Sequence, residues 1–408
     1  MKAMKIAIVV LSAALLAIGI NTTAFAFHSG GVAECGGCHS MHAPKTGGTA
    51  LLVGTDQSST CLTCHEGPTL SSYHVSTTGA NLGAGLSPVN RSPGGDFGWL
   101  KKTYSFTVRG TATTEDGATH GHDITAVDFG YSGRSNNLTA PGGTFPTAQL
   151  ACNSCHDPHG QYRRLASGTI AKTGAPIKAS GSYDNVTTNE PDANNAVGVY
   201  RLLAGAGYTK SGVTFLGNPA AKTPSTYNQT EATNQVRTAY GVATSNGQET
   251  WSNWCKTCHP SMHSTGNYVH PVDQGLGSTI AGFYGQYVKS GDMTGSAASS
   301  FSSLVPFATN SSDYTALAGL AKNNNSQLGG PAYTYQVMCL SCHRAHASAF
   351  PDMLRWYNES EFLVSNSAYG IVSNGRTTTE AVASYYDRPV TQFATYQRVL
   401  CNKCHAKD

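Results

Sequence analysis

Twelve cysteines fall into six copies of one pattern, Cys-x-x-Cys-His, and none is left over. The copies are Cys35/Cys38/His39, Cys61/Cys64/His65, Cys152/Cys155/His156, Cys255/Cys258/His259, Cys339/Cys342/His343 and Cys401/Cys404/His405. Two thiols at this spacing, followed at once by histidine, make the attachment site of c-type haem. The thiols bond to the porphyrin edge and the imidazole is delivered to one axial face of the iron. Zinc would need the cysteines grouped into four-ligand sets with a recurring spacing. Successive first cysteines here lie 26, 91, 103, 84 and 62 residues apart, so no such set forms. Disulfides would explain an even count and leave the six histidines unexplained.

Residues 1–26 read as an export signal, with Lys2 and Lys5 ahead of the apolar run Ile6–Ile20 and a small-residue cleavage site at Ala24-Phe25-Ala26. The run is short for a bilayer crossing and has no stop-transfer flank. Position 27 is phenylalanine, not the cysteine that a lipid anchor would use. The expected mature chain is residues 27–408, a single hexahaem unit without an integral membrane segment, secreted through the periplasm to the cell surface or beyond. Export suits the chemistry, because haem c is attached outside the cytoplasm.

Without Lys2 and Lys5 the chain has 24 basic and 23 acidic side chains. Each oxidised haem with two histidine ligands adds about one negative charge through its propionates, so the loaded protein is acidic and nucleic acid is excluded as a partner. The pairs Lys101-Lys102 and Arg163-Arg164 read as propionate partners or solvated surface. Only 12% of residues are charged, 45 are glycine, and large aliphatics are sparse. A chain of this length would ordinarily bury more of them. Six porphyrins can replace that apolar interior, at about 64 residues per haem. The expected fold is therefore mostly irregular coil with short helices and a few short strands, organised around a linear chain of six haems.

Some elements can be placed. Tyr104, Phe106 and Val108 alternate with Thr103, Ser105 and Thr107, which predicts a strand or hairpin. Thr377-Thr378-Thr379-Glu380 reads as a capping box that starts a helix. Helices are also expected over 282–289 and 393–404, and turns at Pro93-Gly94-Gly95 and Pro141-Gly142-Gly143.

Nine histidines lie outside the motifs: His28, His42, His74, His120, His122, His159, His263, His270 and His346. Three repeat one offset, three residues beyond a motif histidine: His42, His159 and His346, after the first, third and fifth motifs. Three residues cannot reach round a macrocycle to its far face, so these histidines must serve neighbouring haems and tie each to the next. Methionine is the competing ligand. Only Met41, Met262, Met293, Met338 and Met353 follow the signal, and Met41, Met262 and Met338 lie too near a motif to reach its far face. All-histidine ligation is the economical reading, with His120 and His122 supplying one ligand between them.

With these residues in hand, the chain resembles the OmcS family of extracellular, filament-forming hexahaem c-type cytochromes of metal-reducing bacteria. The resemblance covers essentially the whole mature chain. It is most specific at 27–35, Gly94-Gly95-Asp96-Phe97-Gly98-Trp99, 152–164, 339–347 and 400–408. It implies subunits stacked head to tail with haems in an unbroken line. Carried over, His42 would bind the iron of His343 in the next copy of the chain, the neighbour's fifth haem. His28, His74, His122, His159, His270 and His346 stand where the family has histidines, and His120 where it has none.

The function these observations support is electron conduction, from other redox proteins to extracellular acceptors such as metal oxides, other cells or electrodes. A multihaem reductase would need an iron with an open axial position, and spare histidines here exceed the positions to fill. A monomeric periplasmic or outer-surface shuttle shares the chemistry and differs in assembly. The intact mass of the exported protein is expected to equal residues 27–408 plus six haems, and haem staining should survive a denaturing gel.

Overall fold

Each Cys-x-x-Cys-His motif closes a single helical turn, and that turn is the unit from which the fold is assembled. The backbone N–H of the motif histidine donates to the first cysteine's carbonyl from His39 (2.9 Å), His156 (3.0 Å), His259 (3.1 Å), His343 (3.0 Å) and His405 (3.2 Å). The second motif lies inside the helix Gln57–His65. A bond of this span sets the histidine above the first cysteine and turns both thiols and the imidazole to one side. The computed structural model describes residues 35–45, 51–67, 74–79, 82, 86–108, 110–133, 136–159, 177–180, 196–198, 202–224, 231, 235–242, 250–262, 269–322, 329–372 and 375–405.

Helices start where a short polar side chain can accept the free N–H groups of a first turn. Asp56 accepts from Ser59 N at 2.7 Å ahead of Gln57–His65, and Thr250 accepts from Asn253 N at 3.0 Å ahead of Trp251–Lys256. The expected capping box is formed: Thr377 and Glu380 each accept from the other's backbone N–H at 3.1 Å before the helix Thr378–Ser384. The alternating stretch Thr103–Val108 is a strand, paired antiparallel with Thr111–Asp116. Gly95 (φ 92°) and Gly142 (φ 70°) turn the two Pro-Gly-Gly segments. The other sheets among the described residues are pairs or triplets of short strands.

Two helical expectations are corrected. The helix expected over 282–289 runs Gly277–Gln286, because Val288 to Asp292 close a tight turn through Gly291, φ 76°. The stretch 393–404 is not one helix. Gln397–Arg398 is a strand against Phe362–Ser365, and helix returns only at Asn402–His405. The buried Gln397 amide donates to Tyr287 Oη at 2.6 Å, and this tertiary anchoring outweighs the stretch's own helix preference.

The protein core is strongly aromatic. Tyr385 stacks on Tyr369 at 4.3 Å and meets Phe350 at 5.1 Å, in a cluster that joins residues as far apart as Leu62 and Leu400. A smaller cluster gathers Tyr240, Trp251, Met338 and Leu340. Lys101 and Lys102 pair with Glu66 (3.4 Å) and Glu380 (2.8 Å), so both serve internal ion pairs, whereas Arg163 and Arg164 lie outside the described residues.

Three backbone segments converge on Ala347, which bridges Gly95 on one side and Gly121 on the other. His346 N donates to Gly94 O (2.7 Å), His122 N to His346 O (2.9 Å) and Ser348 N to His120 O (2.9 Å). A methyl group on Gly95 would stand 1.8 Å from Ala347 O. Gly95→Ala combines that clash with a positive φ and is expected to cost about 3 kcal/mol, read as a lower Tm by circular dichroism. Gly319→Ala, in the helix Tyr314–Leu320 with open space around it, should be neutral or slightly stabilising.

Candidate haem centres

The six turns form a row that follows the order of the sequence. Cys38 lies close enough to Cys64 for their charges to interact, the Cys61 and Cys152 thiols lie next to each other, and Cys155 lies near Cys258. The Cys255 and Cys339 thiols are also neighbours, and Cys342 lies near Cys401 and Cys404. Every one of these contacts joins consecutive motifs. All twelve cysteines are free of disulfides.

Imidazoles from elsewhere stand opposite four of the motif histidines. His39 faces His159 with ring centres 6.0 Å apart, His259 faces His122 at 6.2 Å, His156 faces His346 at 6.4 Å, and His405 faces His270 at 6.2 Å. Direct stacking brings rings much closer; the buried His120 lies 3.8 Å from Tyr104. Two imidazoles on one metal, with metal–nitrogen bonds of roughly 2 Å and ring centres about 1.2 Å beyond, stand about 6.4 Å apart. The four pairs therefore fit one iron each, with thiols for covalent attachment beside them.

The second ring nitrogen is prepared as well. His122 Nδ1 donates to Ala345 O (2.7 Å), His259 Nδ1 to Pro141 O (2.8 Å), His343 Nδ1 to Asp352 O (2.7 Å) and His346 Nδ1 to Gly95 O (3.3 Å). A carbonyl can only accept, so Nδ1 carries the proton and Nε2 offers its lone pair outward, as a metal ligand requires. Burial holds the His122 imidazole neutral, its pKa lowered to about 4, and burial lowers His343 in the same direction.

The remaining candidates separate by position. His120 is fully buried and stacked on Tyr104, with Nε2 3.3 Å from the Glu115 carboxylate, whereas His122 faces His259. His42 is exposed, on a bend beside Met41, which is 82% exposed. That bend is anchored by Ser40 N to Leu51 O (2.7 Å), Lys45 N to Leu52 O (2.9 Å) and Lys45 Nζ to Asp128 (3.2 Å). Among the described residues no imidazole stands across from His343 at such a spacing. His65 ends its helix where Glu66–Gly67 pairs with Ser76–Thr77, and this pairing brings His74 alongside, its Nε2 buried without a hydrogen-bond partner. His28 and His263 lie outside the described residues.

The interior also carries surplus cationic charge. Arg344, Arg355 and Arg388 are each 2% exposed or less, and the carboxylate beside them is Glu231, 3.1 Å from Arg344 and 3.9 Å from Arg355. Arg344 Nη2 and Arg388 Nε are buried without hydrogen-bond partners. Unbalanced buried guanidinium groups suit anions such as haem propionates. Sequence reasoning missed this cluster and the accepting carbonyls. Arg344 is visible beside His343, but nothing in the pattern marks Arg355, Arg388 or Glu231 as its neighbours.

No family model matches the chain. It is 49% identical to the C-type cytochrome OmcS of Geobacter sulfurreducens, in an alignment of 444 positions that covers 100% of each chain. The cryo-EM structure of OmcS nanowires from Geobacter sulfurreducens superposes with a TM-score of 0.80 at 47% identity, over 93% of this chain and 100% of that one. An outer membrane cytochrome S filament from the same organism gives 0.79 at 46% identity, with the same coverage. Full-length identity, a shared fold and six Cys-x-x-Cys-His turns place the chain in the OmcS family of c-type cytochromes, electron-transfer proteins that hold their haem covalently.

Proposed function

We propose that residues 27–408 form one secreted hexahaem unit that passes electrons along a head-to-tail homopolymer to acceptors outside the cell, without an open catalytic iron. The haem irons supply a one-electron ferric/ferrous couple. The chain's own residues hold the macrocycles in line, exclude water and set their environment. Export by way of the periplasm follows from the signal at 1–26, and other redox proteins and extracellular acceptors stand at the two ends of the path.

The observation that carries this reading is a rule of reach. His159, after the third motif, faces the histidine of the first, and His346, after the fifth, faces that of the third. Each reaches back two motifs along the row, past the adjacent motif and not onto the next one as the offset alone suggested. His42, after the first motif, would by the same rule reach beyond the start of its own chain, onto the fifth motif of a neighbour. His343 is the motif histidine there, and His42 is exposed as such a role requires. The remaining assignments are His122 with His259 and His270 with His405, which leaves His28 and His74 for the iron of His65. A contact of this head-to-tail kind extends indefinitely when its rotation does not close, and the two solved relatives are a nanowire and a filament.

Electron microscopy of haem-stained secreted material is expected to show filaments for the wild-type chain. His42→Ala should abolish them and leave one high-spin iron per protomer in the electron paramagnetic resonance spectrum. Filaments that persist in the variant, or a fully low-spin spectrum, would refute the assignment. A second pair of variants separates ligand from core residue. His122→Ala should create a high-spin centre, whereas His120→Ala should keep every iron low-spin and instead lower stability by about 2–4 kcal/mol, because it empties a buried site.

A further inference from the structure

Two of the six attachment turns carry a lysine between their cysteines, Lys256 in the fourth and Lys403 in the sixth. Their surroundings are opposite. The Lys256 side chain is 27% exposed and its Nζ lies 3.8 Å from the Asp273 carboxylate, so its charge is both offset and screened. Lys403 is 6% exposed, and among the described residues no carboxylate pairs with it. Its Nζ donates to Tyr287 O (2.9 Å) and Tyr284 O (3.3 Å), and it stands 4.2 Å from the ring centre of Tyr284 and 5.7 Å from that of Tyr287.

Those carbonyls belong to the end of the helix Gly277–Gln286. The C-terminus of a helix presents unpaired carbonyls and the negative end of its dipole, and aromatic faces also favour a cation. The fold thus has a built place for an ammonium ion without a counter-charge. Tyr284 is itself fixed, donating through its hydroxyl to Val305 O at 3.0 Å and accepting from Ser302 N at 2.9 Å. Lys403 is one residue from Cys404 and two from His405, so this charge is held within the turn that carries the sixth attachment site.

We propose that Lys403 is a fixed, desolvated cation that raises the reduction potential of the haem attached at Cys401 and Cys404, an influence that Lys256 does not exert on the haem attached at Cys255 and Cys258. Reduction adds one electron to the centre, and a nearby positive charge stabilises the reduced form. In a water-poor interior that attraction is far stronger than across solvent. Lys256 exerts little of it, because Asp273 and water cancel its field. Lys403 is a tuning residue, acting through space and not as a ligand. The inference rests on the reading of Cys401, Cys404 and His405 as a haem site, which haem content tests separately.

The test is a spectroelectrochemical titration at pH 7 and low ionic strength of the full-length holoprotein and three variants, Lys403→Met, Lys403→Arg and Lys256→Met. Haem content is measured by intact mass, and spin state by electron paramagnetic resonance. Lys403→Met should keep its haems and low-spin spectrum while one haem's share of the titration moves to lower potential. Lys403→Arg should follow the wild-type curve, and Lys256→Met should move it much less. Superimposed curves for Lys403→Met and wild type, or equal shifts from Lys256→Met, would overturn the proposal. Should Lys403→Met lose its sixth haem, Lys403→Gln keeps a donor without the charge and carries the same expectation. Loss of that haem in both neutral variants, with Lys403→Arg intact, would make Lys403 a structural clamp and defeat the electrostatic role. A wild-type mass lacking the sixth haem would instead contradict the haem reading itself.

Discussion

Iron in a porphyrin takes ligands from two opposite faces, and a five-residue turn can serve only one of them. Every consequence in this fold descends from that mismatch. The turn is local: it needs a hydrogen bond from the histidine N–H to the first cysteine's carbonyl, and it forms wherever the motif occurs. The opposite imidazole must arrive from a distant part of the chain, as His122 does to face His259 and His270 to face His405. Loop-closure entropy grows only slowly with length. A few strong crossings of this kind can therefore hold long irregular segments that neither helix nor sheet organises.

Crossings this close demand backbone without side chains in the way. The segment from Cys339 to Ser348 shows how much is packed into ten residues. It closes the fifth turn, its Ala345 carbonyl orients His122, and its His346 faces His156. It threads between Gly95 and Gly121, where any side chain would strike Ala347. Glycine abundance, which in composition reads as looseness, is at these positions a requirement of close approach.

Charge follows the same division between what is near in sequence and what is near in space. The chain without cofactors is close to neutral, yet its interior gathers Arg344, Arg355 and Arg388 around Glu231, and Lys403 at a helix end where no carboxylate among the described residues pairs with it. Buried cations of this kind are costly unless something nearby answers them. Propionates and electrons arriving at a haem are the two negative charges that a cytochrome brings to such a place. Lys101 and Lys102, which looked equally available in the sequence, are instead spent on Glu66 and Glu380.

The sequence by itself determined the repeating turn: cysteine spacing and an adjacent histidine are local, and each copy of the motif closes the same turn of backbone. It determined the local elements that depend on neighbours alone, such as the Thr377–Glu380 capping box and the Thr103–Val108 strand, and the recurrence of a histidine three residues past alternate motifs. It also suggested that such histidines act on other haems. Only the tertiary structure decided which imidazole meets which, because His159 and His39 are separated by 119 residues and no periodicity links them. It likewise set His120 and His122 apart, two positions from each other in sequence, by burying the first against Tyr104 and Glu115 and placing the second opposite His259. It turned Gln397 from an expected helix into a strand through a hydrogen bond to Tyr287. Contacts set by one turn of backbone are legible in order of residues; contacts set by where distant segments come to rest are not.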